Sequence, residues 1–292
     1  MHILNSLPPY NLFGLENSDY ETSKIVVLPI PYDSTSSYKA GSREGPKAII
    51  EASRQIELFN EETEHDISNI GIYTTEEIEP NINSPEGMIN RIEKEVKPLI
   101  DDKKFPLLLG GEHTIAVGSI KALKSSGHDF TVLQFDAHSD SRDEFMGSKY
   151  SHACVMARAK EITGSCYGVG IRSINRESFQ EKRNEFLFMK DIKRMEIEEV
   201  VENICKNTKK QVYISFDFDV LDPSIMPSVG TPEPDGISFE FAKEVIKMVA
   251  KKKNIIGMDF NELNPIPGLS APNYLAAKLI YFTVSYIFNE RA

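Results

Sequence analysis

The stretch VLQFDAHSD (132–140) opens as an apolar, β-prone run and ends on Asp136, His138 and Asp140 at alternate positions. Each of these groups is costly to bury without a partner. Three other apolar runs end in the same way. FPLLLGGEHT carries Glu112 and His113, VYISFDFDVLDP carries Asp217, Asp219 and Asp222, and IIGMDFNELNP carries Asp259, Glu262 and Asn264. Histidines and carboxylates without sulfur make a nitrogen–oxygen donor set suited to a harder divalent ion such as Mn²⁺, with Zn²⁺ or Co²⁺ as alternatives. His113, Asp136, His138, Asp140, Asp217 and Asp219 supply six donor side chains. Because carboxylates bridge, six such groups can hold two ions about 3.5–4 Å apart. Residues i and i+2 of a strand share a face, so Asp136, His138 and Asp140 can converge on one point. A single strand-end Asp is more often a cap or turn residue. Asp222, before Pro223, is read that way, and Glu112 is read as a hydrogen-bonding neighbour of the ligands. Taken together, four clustered aspartates would repel one another and raise their own pKa values unless cations lay among them.

The elements that must carry these groups alternate along the chain. Strands are expected at 24–30, 105–110, 130–135, Cys166–Ile171, Glu185–Met189, 211–216 and 254–260. Helices are expected from Gly45-Pro46 to about Phe59, from Ser84 to Ile100, over 113–126, from Ile197 to Cys205, from Phe239 to Lys251 and from Asn273 to Asn289. This rhythm predicts an α/β fold, a parallel sheet covered by helices on both faces. Ligands of such sheets bind beyond the carboxyl ends of the strands, the edge where the polar residues fall. No repeat, low-complexity tract or Pro/Gly-rich linker interrupts the 292 residues, so residues 1–292 are read as one domain.

The charge balance narrows the function classes. A net charge of −11 argues against a nucleic-acid partner, which needs a basic patch. It is compatible with a small cationic ligand steered into a negative cleft. The three cysteines, Cys154, Cys166 and Cys205, have no C-x-x-C spacing and imply neither a disulfide framework nor a thiolate zinc site. The N-terminal stretch lacks the pattern of a signal peptide, and no apolar run approaches membrane-spanning length. A cytoplasmic protein without membrane association is expected. Of the remaining histidines, His2, His65 and His128 are read as surface or loop residues.

The motifs GGEHT (110–114), FDAHSD (135–140) and SFDFDVLDPSIMPSVGTPEPDG (215–236) resemble the three signature motifs of the ureohydrolases, the arginase/agmatinase family. GSREGPKAIIEASRQIELFNEE (41–62) is similar to the agmatinase version of the N-terminal region, and YGVGIRS (167–173) and DFNELNP (259–265) match further family segments. The resemblance implies a three-layer α/β/α arginase-like fold with a central parallel sheet of about eight strands. It implies two Mn²⁺ ions, one held by His113, Asp136, Asp140 and Asp217, the other by Asp136, His138, Asp217 and Asp219, with Asp136 and Asp217 bridging. Asp140 would touch the bridging water, His152 matches the proton-shuttle histidine, and Glu262 matches the carboxylate that pairs with a guanidinium. Trimers or hexamers are the usual assemblies.

The substrate follows from departures within the resemblance. SRDEFMGSKYSHA follows the D-A-H-x-D motif where arginases carry small polar residues, and Ser173, Ile174 and Asn175 stand where arginases carry acidic ones. Both departures argue for agmatine over arginine, with putrescine and urea as products. Asp143 and Glu144 are candidates for binding the amine tail. Aminopropyl-agmatine, guanidinobutyrate (with Arg142 as carboxylate partner) and formiminoglutamate are the alternatives. Ala153 and Ser228 replace glycines common in the family, which bears on the shape of the pocket. A metallophosphoesterase would need a basic phosphate clamp, a deacetylase-like enzyme would dispense with some of the six ligands, and a catalytically silent metal-binding paralogue would typically have lost some.

Overall fold

The computed structural model describes residues 7–16 and 18–288. Ten strands form: β1 (Ile25–Ile30), β2 (Phe59–Asn60), β3 (His65–Asp66), β4 (Ile72–Thr74), β5 (Phe105–Gly110), β6 (Phe130–Phe135), β7 (Cys166–Ile171), β8 (Phe186–Phe188), β9 (Gln211–Asp217) and β10 (Asn254–Asn261). β2 and β3 make a short antiparallel ribbon. The other eight make one sheet in the order β4-β1-β5-β10-β9-β6-β7-β8, and every pairing in it is parallel. The helices are α1 (Gly45–Ser53), α2 (Pro85–Asp101), α3 (Ala116–Ser125), α4 (Val155–Thr163), α5 (Arg176–Lys182), α6 (Met189–Ile192), α7 (Ile197–Asn207), α8 (Phe239–Lys252) and α9 (Ala271–Phe288).

The strand period of two divides the core. Ile25 and Val27 of β1 face one helical layer, with α1, α7, α8 and α9, whereas Val26, Leu28 and Ile30 face α2 on the other side. α3 and α4 continue the second layer over Phe130, Val132 and Tyr213. The expected three-layer α/β/α fold with a sheet of eight parallel strands is therefore the one observed. Buried on both faces, β1 and β5 read as unbroken apolar runs, as parallel strands do, and β6 is interrupted only by Thr131 and Gln134.

Local chemistry sets the helix boundaries. Ser84 Oγ accepts the Gly87 N–H at 3.0 Å and Pro85 occupies the first helical position of α2. α1 stops at Ser53, well short of the expected Phe59. Ser53 Oγ returns to the Ile50 carbonyl and accepts the Phe13 N–H, both at 2.8 Å, which ties the helix end to the N-terminal turn. Six of these elements escape the sequence reading: the short strands β2, β3 and β4 and the helices α4, α5 and α6. The strand expected at Glu185–Met189 shortens to β8, since Glu185 ends a 3₁₀ turn and Met189 opens α6. Of the closing helix, Asn289 lies outside the described residues, as does His2. No helix among the described residues is long and apolar enough to cross a membrane, and the three cysteines are free.

Glu62 joins the loop between β2 and β3 to the helical layer. Its carboxylate accepts from Lys243 at 2.5 Å, Lys247 at 2.8 Å and Tyr286 at 2.6 Å. Burial alone would raise the Glu62 carboxyl, but these donors outweigh it and hold it at about 2 against an ordinary 4.5. The stabilisation is complete above the ordinary value and is lost as the pH falls towards 2. Because the network is partly exposed, screening leaves about 1 kcal/mol. Glu62→Gln should lower Tm near pH 7, and the difference should shrink steadily between pH 4.5 and pH 2, as measured by thermal melts of both proteins across that range.

Candidate metal centre

Four neighbouring strands in the middle of the sheet, β5, β10, β9 and β6, send the polar residues out at their carboxyl ends. The Gly110-Gly111 pair allows β5 to reach that edge. A Cβ on Gly110 would lie 2.0 Å from Asn261 Oδ1, and one on Gly111 would lie 2.1 Å from the Tyr32 carbonyl. The Glu112 N–H binds that same carbonyl at 2.7 Å, fixing the position of His113 beyond it.

Six side chains from three segments converge. His113 Nδ1 lies 3.2 Å from Asp136 Oδ2, 3.1 Å from Asp140 Oδ2 and 3.6 Å from Asp217 Oδ2. His138 Nδ1 lies 2.8 Å from Asp219 Oδ2 and 3.6 Å from Asp136 Oδ1. Two triads, His113–Asp136–Asp140 and Asp136–His138–Asp219, each bring their donor atoms within 4.8 Å of one another. Asp136 belongs to both. Asp217 stands beside the first triad through its Oδ2.

The D-x-H and D-x-D spacings serve the backbone as well. Asp136 Oδ1 accepts the His138 N–H at 2.5 Å, and Asp217 Oδ1 accepts the Asp219 N–H at 2.8 Å. These are Asx turns, which end each strand and leave the second carboxylate oxygen for the cluster. Asp219 Oδ1 is held by the Ala137 N–H at 3.0 Å. Gln134 Nε2 donates to Asp136 Oδ2 at 2.7 Å. Behind the first triad, His113 Nε2 meets Ser215 Oγ at 2.7 Å, and Ser215 donates to Asp259 Oδ1 at 2.8 Å. That chain fixes which ring nitrogen faces the carboxylates.

The electrostatics fit cations. Burial raises Asp140 to about 6 with help from the charge of Asp136, and burial with the charges of Asp219 and Asp136 raises Asp217 well above the usual range. Burial would lower His113, yet Asp136 and Asp140 hold it well above its ordinary value. The cluster keeps protons that divalent ions would replace, and no lysine or arginine forms an ion pair with these four aspartates among the described residues. An oxygen-rich donor set with imidazole, short of positive charge, is the chemistry of a hard divalent site.

Beside the cluster lies a cavity of about 260 Å³. His138, Asp140, Asp217, Asp219, His152 and Glu262 all reach it. Glu262 Oε1 accepts the His113 N–H at 2.7 Å, and no described residue donates to Oε2. Asp140 and Glu262 hold left-handed backbone angles, φ 45° and 66°, at a cost typical of functional positions. Ala153 lines the cavity, whereas Ser228 is buried away from it. Of the tail candidates, Arg142 lines the cavity and lies 5.2 Å over the Phe145 ring. Asp143 does not line it, because its carboxylate pairs with Arg158 of α4 at 2.6 Å. Glu144 is exposed and is also not part of the wall. Glu112 points away from the cluster and binds Thr35 instead, through N–H at 2.6 Å and Oγ1 at 2.9 Å. The sequence reading misses Ser37, Phe145 and Thr231 in the wall; none sits at a strand end, where the polar signal lies.

Comparison with known proteins agrees with this geometry. The Arginase family profile matches residues 23–285. An N(1)-aminopropylagmatine ureohydrolase of Synechocystis is 34% identical, over 92% of this chain and 90% of that one. The protein of that name from Thermus thermophilus is 35% identical, over 94% and 93%. The crystal structure of agmatine ureohydrolase of Thermoplasma volcanium superposes with a TM-score of 0.89 and 34% identity, covering 99% of this chain and 97% of that one. A parallel eight-stranded sheet, a His/Asp cluster at its carboxyl edge and a profile match over residues 23–285 lead to one assignment: the chain belongs to the arginase family.

Proposed function

We propose that this arginase-family hydrolase cleaves a guanidino group from an alkyl amine, with agmatine as substrate and urea and putrescine as products. One observation carries the reading. The free oxygen of Glu262 and the two triads sharing Asp136 border the same cavity, so a planar cation held by Glu262 lies beside the cluster. Relatives named for agmatine and aminopropylagmatine support the substrate class.

Two divalent ions in the cluster, Mn²⁺ in our proposal, would supply a water acidified towards neutrality. The first would be held by His113, Asp136, Asp140 and Asp217, and the second by Asp136, His138, Asp217 and Asp219. The chain supplies the rest. Glu262 Oε2 accepts from the guanidinium and fixes its carbon, the kind of positioning that turns a slow encounter into an oriented reaction. Asp140, at the edge of the first triad, takes the proton of the attacking water. Burial pushes the His152 imidazole down from its ordinary value, and the ring lines the cavity. It passes a proton between solvent and the departing amine. The wall beyond, with Phe145, Ala153 and Ile174, suits an unsubstituted alkyl chain. Asn175 Oδ1 is committed to the Ser178 N–H at 2.7 Å, and Ser173 and Ile174 carry no charge, so this loop offers nothing acidic to an α-amino group.

Arg142 favours a second reading. It is the one lysine or arginine lining the cavity among the described residues. A carboxylate tail, as in guanidinobutyrate, would meet its charge.

Urea release by Mn²⁺-loaded protein on agmatine, aminopropyl-agmatine, guanidinobutyrate and arginine tests the substrate. Agmatine should be turned over fastest, and faster turnover of guanidinobutyrate would replace it. Glu262→Gln should lower kcat/KM on the order of a hundredfold while both ions stay bound. Arg142→Ala should shift the preference towards amine tails by about fivefold, the worth of a partly screened charge. Elemental analysis after dialysis at fixed free Mn²⁺ should find both ions lost from Asp136→Asn and one retained by Asp219→Asn.

A further inference from the structure

The loop after β1 grips His152 at two points. Thr35 Oγ1 accepts the His152 N–H at 2.9 Å, and Ser37 Oγ lies 3.0 Å from the ring Nε2. The loop is itself anchored. Thr35 donates to Glu112 through both its N–H and its hydroxyl, at 2.6 and 2.9 Å. Asp33, fully buried in its side chain, accepts the Gly41 N–H at 2.7 Å and the Arg43 side chain, closing the base of the same loop. Glu112 is wholly buried and adjoins His113 in the chain. One hydrogen-bonded line therefore runs from the segment bearing a ligand, through Thr35, to the residue at the mouth of the cavity. Thr35 Oγ1 has one proton. It gives that proton to Glu112, so its lone pairs remain for the His152 N–H. Ser37 is exposed, so the ring nitrogen it touches is the one turned towards solvent.

We infer that residues 33–37 form a clamp that sets the His152 imidazole, with Glu112 and Thr35 as positioning residues and Ser37 as the group through which the ring meets solvent. The inference rests on the proposed role of His152 in moving a proton. It gives Glu112 a purpose its place beside a ligand does not reveal: it fixes the shuttle rather than the ions. It also explains why a buried carboxylate with no lysine or arginine partner among the described residues is committed to a loop Thr.

The test uses the Mn²⁺-loaded full chain and two independent readouts, steady-state urea release and the rate at which diethyl pyrocarbonate acylates His152, followed by peptide mass spectrometry. Thr35→Val removes the hydroxyl and keeps the shape. It should lower kcat about tenfold with KM nearly unchanged and both ions retained, and it should speed acylation of His152 about threefold, the value of a lost hydrogen bond. Thr35→Ser restores both. Ser37→Ala, an exposed change that leaves the fold alone, should speed acylation by a similar factor and lower kcat less. Thr35→Val and Ser37→Ala with unaltered kcat and unaltered acylation, while His152→Asn is inactive, overturn the clamp alone. Full turnover by His152→Asn overturns the role of His152 itself, and the inference with it.

Discussion

Four carboxylates, crowded together without an ion-paired lysine or arginine among the described residues, set the terms for this molecule. Their repulsion is the constraint, and the chain meets it in stages. Three of the aspartates are divided between two tasks, one oxygen held by a backbone N–H and the other turned inward. Asp136 holds His138, Asp217 holds Asp219, and Asp219 holds Ala137. Backbone donors absorb part of the charge and fix these carboxylates at the ends of rigid strands. Two imidazoles lie among the remaining oxygens. What is left over is a deficit of positive charge of a size and hardness that divalent cations meet.

Much of this is legible in the amino-acid sequence. An apolar run that turns abruptly polar marks the carboxyl end of a buried strand, and four such switches name the six clustered side chains together with Glu262. The three-layer architecture follows from the alternation of strand and helix periods. The order of the strands does not. That β5, β10, β9 and β6 are neighbours, and so bring distant segments together, depends on crossovers that no local pattern records.

Other departures from expectation have equally local causes. Asp143 reads as free to receive an amine as long as α4 is not foreseen, and Arg158 on that helix claims it. α1 is expected to run too far because the bonds that stop it at Ser53 involve Phe13, 40 positions away in the chain. Glu112 resembles a helper of the metal ligands because it adjoins one. Its partner, Thr35, is 77 positions distant and shows no polar switch of its own.

The parallel sheet also divides labour. Strand ends in the middle of the sheet supply the cluster, while the rest of the cavity wall comes from loops after β1, β6, β7 and β9. Those loops can lengthen, shorten or change sign without moving a strand. Residues such as Arg142 and Ile174 lie on those loops, apart from the clustered carboxylates. The cluster thus rests on rigid strand ends, whereas most of the wall around the cavity is loop, and a change in one need not disturb the other.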